Sequence, residues 1–245
     1  MERMIPPPFR QRIPYGPEPS QFYELWLPEG PLRGAILAIH GGLWLSRYEL
    51  SHLNPICADL AAEGFVVANL EYRRVGNPGG GWPGSFEDVL TGFKAARSAF
   101  PDLPWKVLGH SAGGHLALLL GCASQAMEAV LALAPVSCMA WPPQSPLCQE
   151  AIADFLGGDQ AEIPETYREA CPSERASTVP RFLIHGTADD MVPVEMSRHF
   201  LSKRQADPGP VNLLEIAGAD HFQLIDPASN AWHTIRAQAT ARQHH

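Results

Sequence analysis

The sequence predicts a single-domain α/β fold: a mostly parallel, twisted sheet of about eight strands with helices on both faces. Three observations carry that expectation. Strand-like and helix-like segments alternate over most of the chain, the pattern of parallel strands joined by crossover helices. Several strand-like segments are apolar throughout, as strands covered on both faces are. A length of 245 residues, 45% of them hydrophobic, suits one large undivided domain over residues 1–245 with a substantial core.

The elements follow in order. Residues 1–20, rich in Pro and Gln and without periodicity, are expected to form an extended arm lying on the body. FYELWL (22–27) alternates as a strand does, and GAILAIH (34–40) is an apolar run of the buried-strand kind. Leu53, Ile56, Cys57, Leu60 and Ala61 recur at helical spacing within 51–63. FVVANLEY (65–72) is another buried strand. A Gly/Pro-rich loop, VGNPGGGWPG (75–84), precedes an amphipathic helix over 85–100, with Ser85, Glu87 and Asp88 as its start signal. WKVLGH (105–110) is a short strand, AGGHLALLLGCA (112–123) a buried helix and AVLALAP (129–135) a strand. Residues 136–180 hold six prolines and three cysteines, with room for one or two short helices, and are expected to form a small lid beside a pocket. Two more strands, RFLIHG (181–186) and VNLLEIAG (211–218), and helices over 194–205 and 229–241 complete the pattern.

Composition narrows the function. The net charge is −8, from 26 acidic and 18 basic residues, with no basic stripe, so no nucleic-acid partner is expected. No apolar stretch approaches a bilayer span, so no membrane partner is expected either. The N-terminus lacks the apolar core of a secretory signal. The five cysteines are odd in number and contain no C-x-x-C pair, which points to reduced thiols and a cytoplasmic location and away from a zinc site. No metal or organic cofactor is expected. Both a monomer and a homodimer are open.

The strongest chemical signal is Gly109-His110-Ser111-Ala112-Gly113, a G-x-S-x-G sequence between a short strand and an apolar helix. A sharp strand-to-helix turn lifts the serine above the sheet edge, and glycines are needed where the two backbones crowd. A serine hydroxyl is a poor nucleophile without a base, and the base needs an orienting acid. His185-Gly186-Thr187-Ala188-Asp189-Asp190 begins at a strand end and supplies the acid, with spacing from the strand favouring Asp189 over Asp190. Two histidines follow. His221 lies in a loop after a late strand and can swing over the serine, whereas His233 lies in a surface helix. His110, His115 and His185 are expected to pack or hydrogen-bond locally. Gly41-Gly42, at the end of the strand GAILAIH, lets backbone amides approach a reacting carbonyl oxygen. The expected donors there are Gly42, Leu43 and, after the nucleophile, Ala112. Trp44, Trp82, His110 and Phe222 are candidate substrate contacts, and Trp141 divides evenly between pocket and core.

With these pieces together, the chain resembles the α/β-hydrolase superfamily over nearly its whole length. It is most similar to the small intracellular esterase and arylformamidase-like branch, whose HGG-x-W motif is matched by His40-Gly41-Gly42-Leu43-Trp44. Gly109 to Leu116, His185 to Pro193 and Asp220-His221-Phe222 resemble that branch's elbow, acid loop and histidine loop, and its acid is the first Asp, here Asp189. Leu43 departs from the Tyr that arylformamidases commonly carry. The resemblance implies acyl transfer from a small ester or amide substrate to water by Ser111, His221 and Asp189. A carboxylesterase is the leading expectation, hydrolysis of N-formylkynurenine-like aryl formamides the alternative, and a catalytically dead binding scaffold the reading from another class. A base of ordinary histidine character predicts activity rising through roughly pH 6–7.

Overall fold

The computed structural model describes residues 9–141 and 146–241. The first eight residues of the expected arm, residues 142–145 of the expected lid, and His244 and His245 lie outside them. The chain builds an eight-stranded sheet from β1 (Phe9–Pro14), β2 (Phe22–Leu27), β3 (Gly34–Ile39), β4 (Phe65–Leu70), β5 (Trp105–His110), β6 (Ala129–Leu133), β7 (Arg181–Gly186) and β8 (Val211–Ile216). Their spatial order is β1-β2-β4-β3-β5-β6-β7-β8. Only the β1–β2 and β2–β4 pairings are antiparallel, and the rest of the sheet is parallel.

The helices are α1 (Asn54–Ala62), α2 (Gly84–Ala99), α3 (Ala112–Ala123), α4 (Pro146–Leu156), α5 (Pro164–Glu169), α6 (Val194–Arg204) and α7 (Asn230–Thr240). Two cores follow from the sheet having two covered faces. One gathers Leu37, Ile39, Val107 and Leu183 with Val89 and Phe93 of α2, Leu116 and Leu120 of α3 and Phe200 of α6. The other gathers Ile36, Val67, Leu108 and Ile184 with Ile56 and Leu60 of α1 and Trp232 and Ile235 of α7. Strands β3, β4 and β5 are buried at every position, which is why they read as unbroken apolar runs. Among the described residues no helix is long and apolar enough to cross a membrane.

Residues 9–14 of the expected extended arm form an edge strand, with Arg10 opposite Trp26 and Arg12 opposite Glu24. The guanidinium of Arg12 sits 3.9 Å from the Phe22 ring centre, and both arginines pair with the buried Glu24 carboxylate. Cross-strand cation–π and ionic pairs hold this strand, and they leave no apolar periodicity to detect. Ser85 does not cap α2, whose N-cap position is Pro83. Its hydroxyl instead donates to the Arg73 carbonyl at 2.6 Å and accepts from the Gly81 amide at 3.1 Å, tying the Gly/Pro-rich loop to the body. The described residues of 136–180 include two short α-helices, α4 and α5.

Candidate active site

Parallel register brings the C-terminal ends of β3, β5, β6 and β7 to one edge: Ile39 pairs with Gly109, His110 with Leu133 and Leu133 with Ile184. Ser111 follows β5 at that edge with φ 57° and ψ −118°, a conformation that L-residues avoid unless the surroundings enforce it. The enforcement is visible. Its amide donates to the Leu133 carbonyl at 2.8 Å, and its carbonyl accepts from the His115 amide at 3.1 Å. The flanking glycines answer to crowding, since a Cβ on Gly109 would stand 2.2 Å from the Gly113 carbonyl oxygen and one on Gly113 2.1 Å from that of Ile39. Helix α3 starts at the next residue, so the Ala112 amide is among the first-turn donors that have no partner within the helix.

The histidine loop places His221 against the acid loop. His221 Nδ1–H donates to Asp189 Oδ2 at 2.7 Å, and the Asp189 side chain is wholly buried. Asp189 Oδ1 accepts from the Met191 and Val192 amides at 2.9 and 2.8 Å. Burial alone would raise its carboxyl, but hydrogen bonds from His185 and His221 hold it well below the usual carboxylate range. Asp190 is exposed and makes none of these contacts. His185 fixes the loop. Its Nε2–H donates to the Val192 carbonyl at 2.9 Å, and its Nδ1 then accepts the Ser197 hydroxyl at 2.7 Å. Because Nδ1 of His221 carries the proton facing Asp189, Nε2 is left as the basic nitrogen. Ser111 and His221 face one cavity of about 310 Å³. The Ser111 hydroxyl makes no hydrogen bond among the described residues, and such bonds commonly close only when substrate binds.

The loop after β3 forms the opposite wall. Gly42, Leu43 and Trp44 all have positive φ, at 106°, 55° and 54°, which turns the chain sharply beneath the cavity. Gly42 and Leu43 line the cavity, and their amides donate to no partner among the described residues. Behind this loop lies a buried polar cluster. His40 Nε2–H donates to Glu71 Oε1 at 2.9 Å, Arg74 pairs with the same oxygen at 2.5 Å, and the Leu50 amide donates to Glu71 Oε2 at 3.0 Å. The Tyr72 hydroxyl donates to the His40 carbonyl at 2.9 Å.

Of the candidate substrate contacts, His110 and Phe222 line the cavity, and Phe222 is 60% exposed at its mouth. Trp44 and Trp82 do not. Trp44 is fully buried and stacks on Phe155 at 4.6 Å with His115 at its edge, because the positive φ of the loop drives the indole into the core. Trp82 stacks on Phe86 and meets Phe155 edge-on. His115 donates to the Ala170 carbonyl at 2.8 Å, and His233 is exposed on α7. The sequence reading missed Tyr48, His52, Cys148, Met191 and Ile225, which also line the cavity. It missed the Glu71–Arg74 support too, although the acidic and basic residues packed at the end of the apolar strand FVVANL were a usable signal. Burial, and then the neighbouring His40, pushes His52 down to about 4, so it stays neutral in the cavity wall. Among the described residues no group of three or more His, Cys, Asp or Glu is placed to hold a metal ion.

Comparison with known proteins shows the fold and the family. Esterase LipC of Mycobacterium tuberculosis is 29% identical over 89% of this chain and 61% of its own length, and Esterase LipQ of the same organism is 25% identical over 85% and 56%. The chain thus spans about three-fifths of the length of these curated relatives. A truncated form of a carbohydrate esterase from gut microbiota superposes with a TM-score of 0.82 at 19% identity, covering 96% of each chain, which shows the α/β-hydrolase fold. The BD-FAE family model matches residues 25–203. That match spans well over half of the sequence and includes both the serine elbow and the Asp189 loop: the chain belongs to the BD-FAE family.

Proposed function

We propose that the protein is a serine carboxylesterase acting on small carboxylic esters. The observation that carries this reading is that a strained Ser111 and a His221 whose Nδ1 is fixed on Asp189 line one cavity. In the first step the Ser111 oxygen attacks the ester carbonyl carbon while His221 Nε2 takes the hydroxyl proton. The carbonyl oxygen becomes an oxyanion facing the amides of Gly42, Leu43 and Ala112, donors that typically contribute about 10² to 10³ in rate each. Collapse breaks the bond to the alcohol oxygen, which leaves with the proton from His221, and an acyl-serine remains. Water then repeats the sequence and releases the acid. Asp189 stays ionised throughout and stabilises the imidazolium. The names of the relatives, esterases, support an ester rather than an amide substrate. Five free cysteines support a reducing, cytoplasmic setting.

The test is hydrolysis of p-nitrophenyl acetate and butyrate by the wild type and by Ser111→Ala. Removing the nucleophile of a working triad typically lowers turnover on the order of 10⁶. Equal activity in both proteins would remove Ser111 from the mechanism.

A further inference from the structure

A second cavity, again of about 310 Å³, adjoins the one at Ser111. Cys148 and Met191 line both, so the two cavities lie side by side and meet at these two side chains. The position of the second cavity follows from the chain path. The segment after β6 supplies Met139 and Trp141, α4 supplies Ile152, α5 supplies Tyr167, and α6 supplies Met196. Met139, Ile152, Tyr167 and Met196 are buried and form an apolar floor, and Trp141 is half-buried beside them. The polar members, Gln149, Asp159 and Gln160, are exposed at the mouth.

Resting on the esterase reading, we propose that this second cavity is a substrate subsite that receives the apolar far end of the longer arm of the ester. Because the two cavities meet at Cys148 and Met191, an arm that outgrows the first cavity has a neighbouring apolar space to enter, past Met191. The floor offers no charged side chain, so an ionised arm end would lose its hydration without a partner there. Thioethers at Met139, Met191 and Met196 are unbranched and polarizable, and they adapt to alkyl and aryl shapes alike. The rings of Trp141 and Tyr167 add broad apolar area. An alkyl or aryl arm of varied shape therefore suits this subsite, and a single rigid group is not required.

Two ester series test this. One is p-nitrophenyl acetate, butyrate, hexanoate and octanoate, which lengthens the acyl arm. The other is ethyl, butyl and octyl acetate followed by acid release, which lengthens the alcohol arm. In one series kcat/KM should keep rising beyond four carbons, by up to about fourfold per added methylene. Trp141→Ala removes one wall, and Ala161→Trp narrows the mouth from an exposed position where folding is not at stake. Each should lower the eight-carbon to two-carbon ratio of kcat/KM about tenfold. The proposal is overturned if both series level off at four carbons in the wild type, or if the ratio is unchanged in Trp141→Ala and Ala161→Trp alike. Acetate hydrolysis that depends on Ser111 but shows no such slope would sink the subsite and leave the esterase standing. No Ser111-dependent hydrolysis of any ester would sink both.

Discussion

The His110 ring donates a 3.0 Å hydrogen bond from Nε2 to the backbone carbonyl of His221, and the two imidazoles pack with centroids 4.6 Å apart. The residue just before the serine thus holds the loop of the proposed base. Burial, and then the neighbouring His221, keeps His110 well below the ordinary histidine range, so it serves as a neutral donor. His110→Phe keeps the ring packing and removes the donor. A small misplacement of a reacting group costs about 10²-fold at the upper end. We expect kcat to fall about 10- to 100-fold with KM within about twofold, and His110→Gln, which retains an N–H, to recover part of the loss. Steady-state kinetics on p-nitrophenyl butyrate decide it; a loss confined to KM would return His110 to the substrate-contact role.

Glu71 supports the loop on the other side of the cavity. Its carboxylate receives His40, Arg74 and the Leu50 amide, and both Glu71 and Arg74 are at most 5% exposed. Burial pushes the Glu71 carboxyl up, but His40 and Arg74 outweigh it and keep it ionised. Glu71→Gln leaves the Arg74 guanidinium buried without a countercharge, a change that typically destabilises by about 3–5 kcal/mol. Adding Arg74→Met to that variant should restore part of the stability, because the orphaned charge is gone. Urea midpoints of the two single variants and the double variant measure this; additive losses would contradict the pairing.

These two supports also mark how far the sequence could be read. Strands β3 to β7 and helix α3 were legible because burial on both faces or in a helix core forces continuous apolar runs. The elbow was legible because Gly109 and Gly113 answer to clashes that no other residue relieves. Strand β1 was not, since Arg10 and Arg12 hold it through Glu24 and two aromatic faces. Tyr48, His52 and Met191 reach the cavity through loop geometry that no local pattern encodes. The direction of Trp44 depended on a positive φ in a non-glycine residue, which residue type does not announce.

Two neutral histidines, His115 buried and His52 half-buried, set a pH dependence of stability. His52 is pushed down to about 4 by burial and then by His40, and His115 to about 3 by burial, against about 6.5 in an unfolded chain. The unfolded chain therefore binds more protons between those values. The contribution of each is fully present above about pH 6.5 and is lost as pH falls through that window toward 4 and 3. Each group can add up to about 1.4 kcal/mol per pH unit to the slope. Urea midpoints at pH 7, 6 and 5 should decline steadily, and His115→Gln should decline less steeply. A flat series would mean that these rings are charged or exposed in the folded state.

The indole of Trp44 separates a core role from a pocket role. It is fully buried between Phe155 and the edge of His115, although its neighbours Gly42 and Leu43 line the cavity. If packing is its work, Trp44→Ala should cost about 3–5 kcal/mol, the range for truncating a large buried aromatic. Trp44→Phe keeps a ring against Phe155 and should cost less, with KM for acetate and octanoate esters moving together and by less than about twofold. Leu43→Ala, one residue earlier, should do the reverse, because Leu43 lines the cavity and belongs to neither core cluster. Denaturation midpoints and the two KM values, taken on the same three variants, separate these outcomes. A Trp44→Phe protein of wild-type stability whose KM shifts for one ester alone would place the indole in contact with substrate.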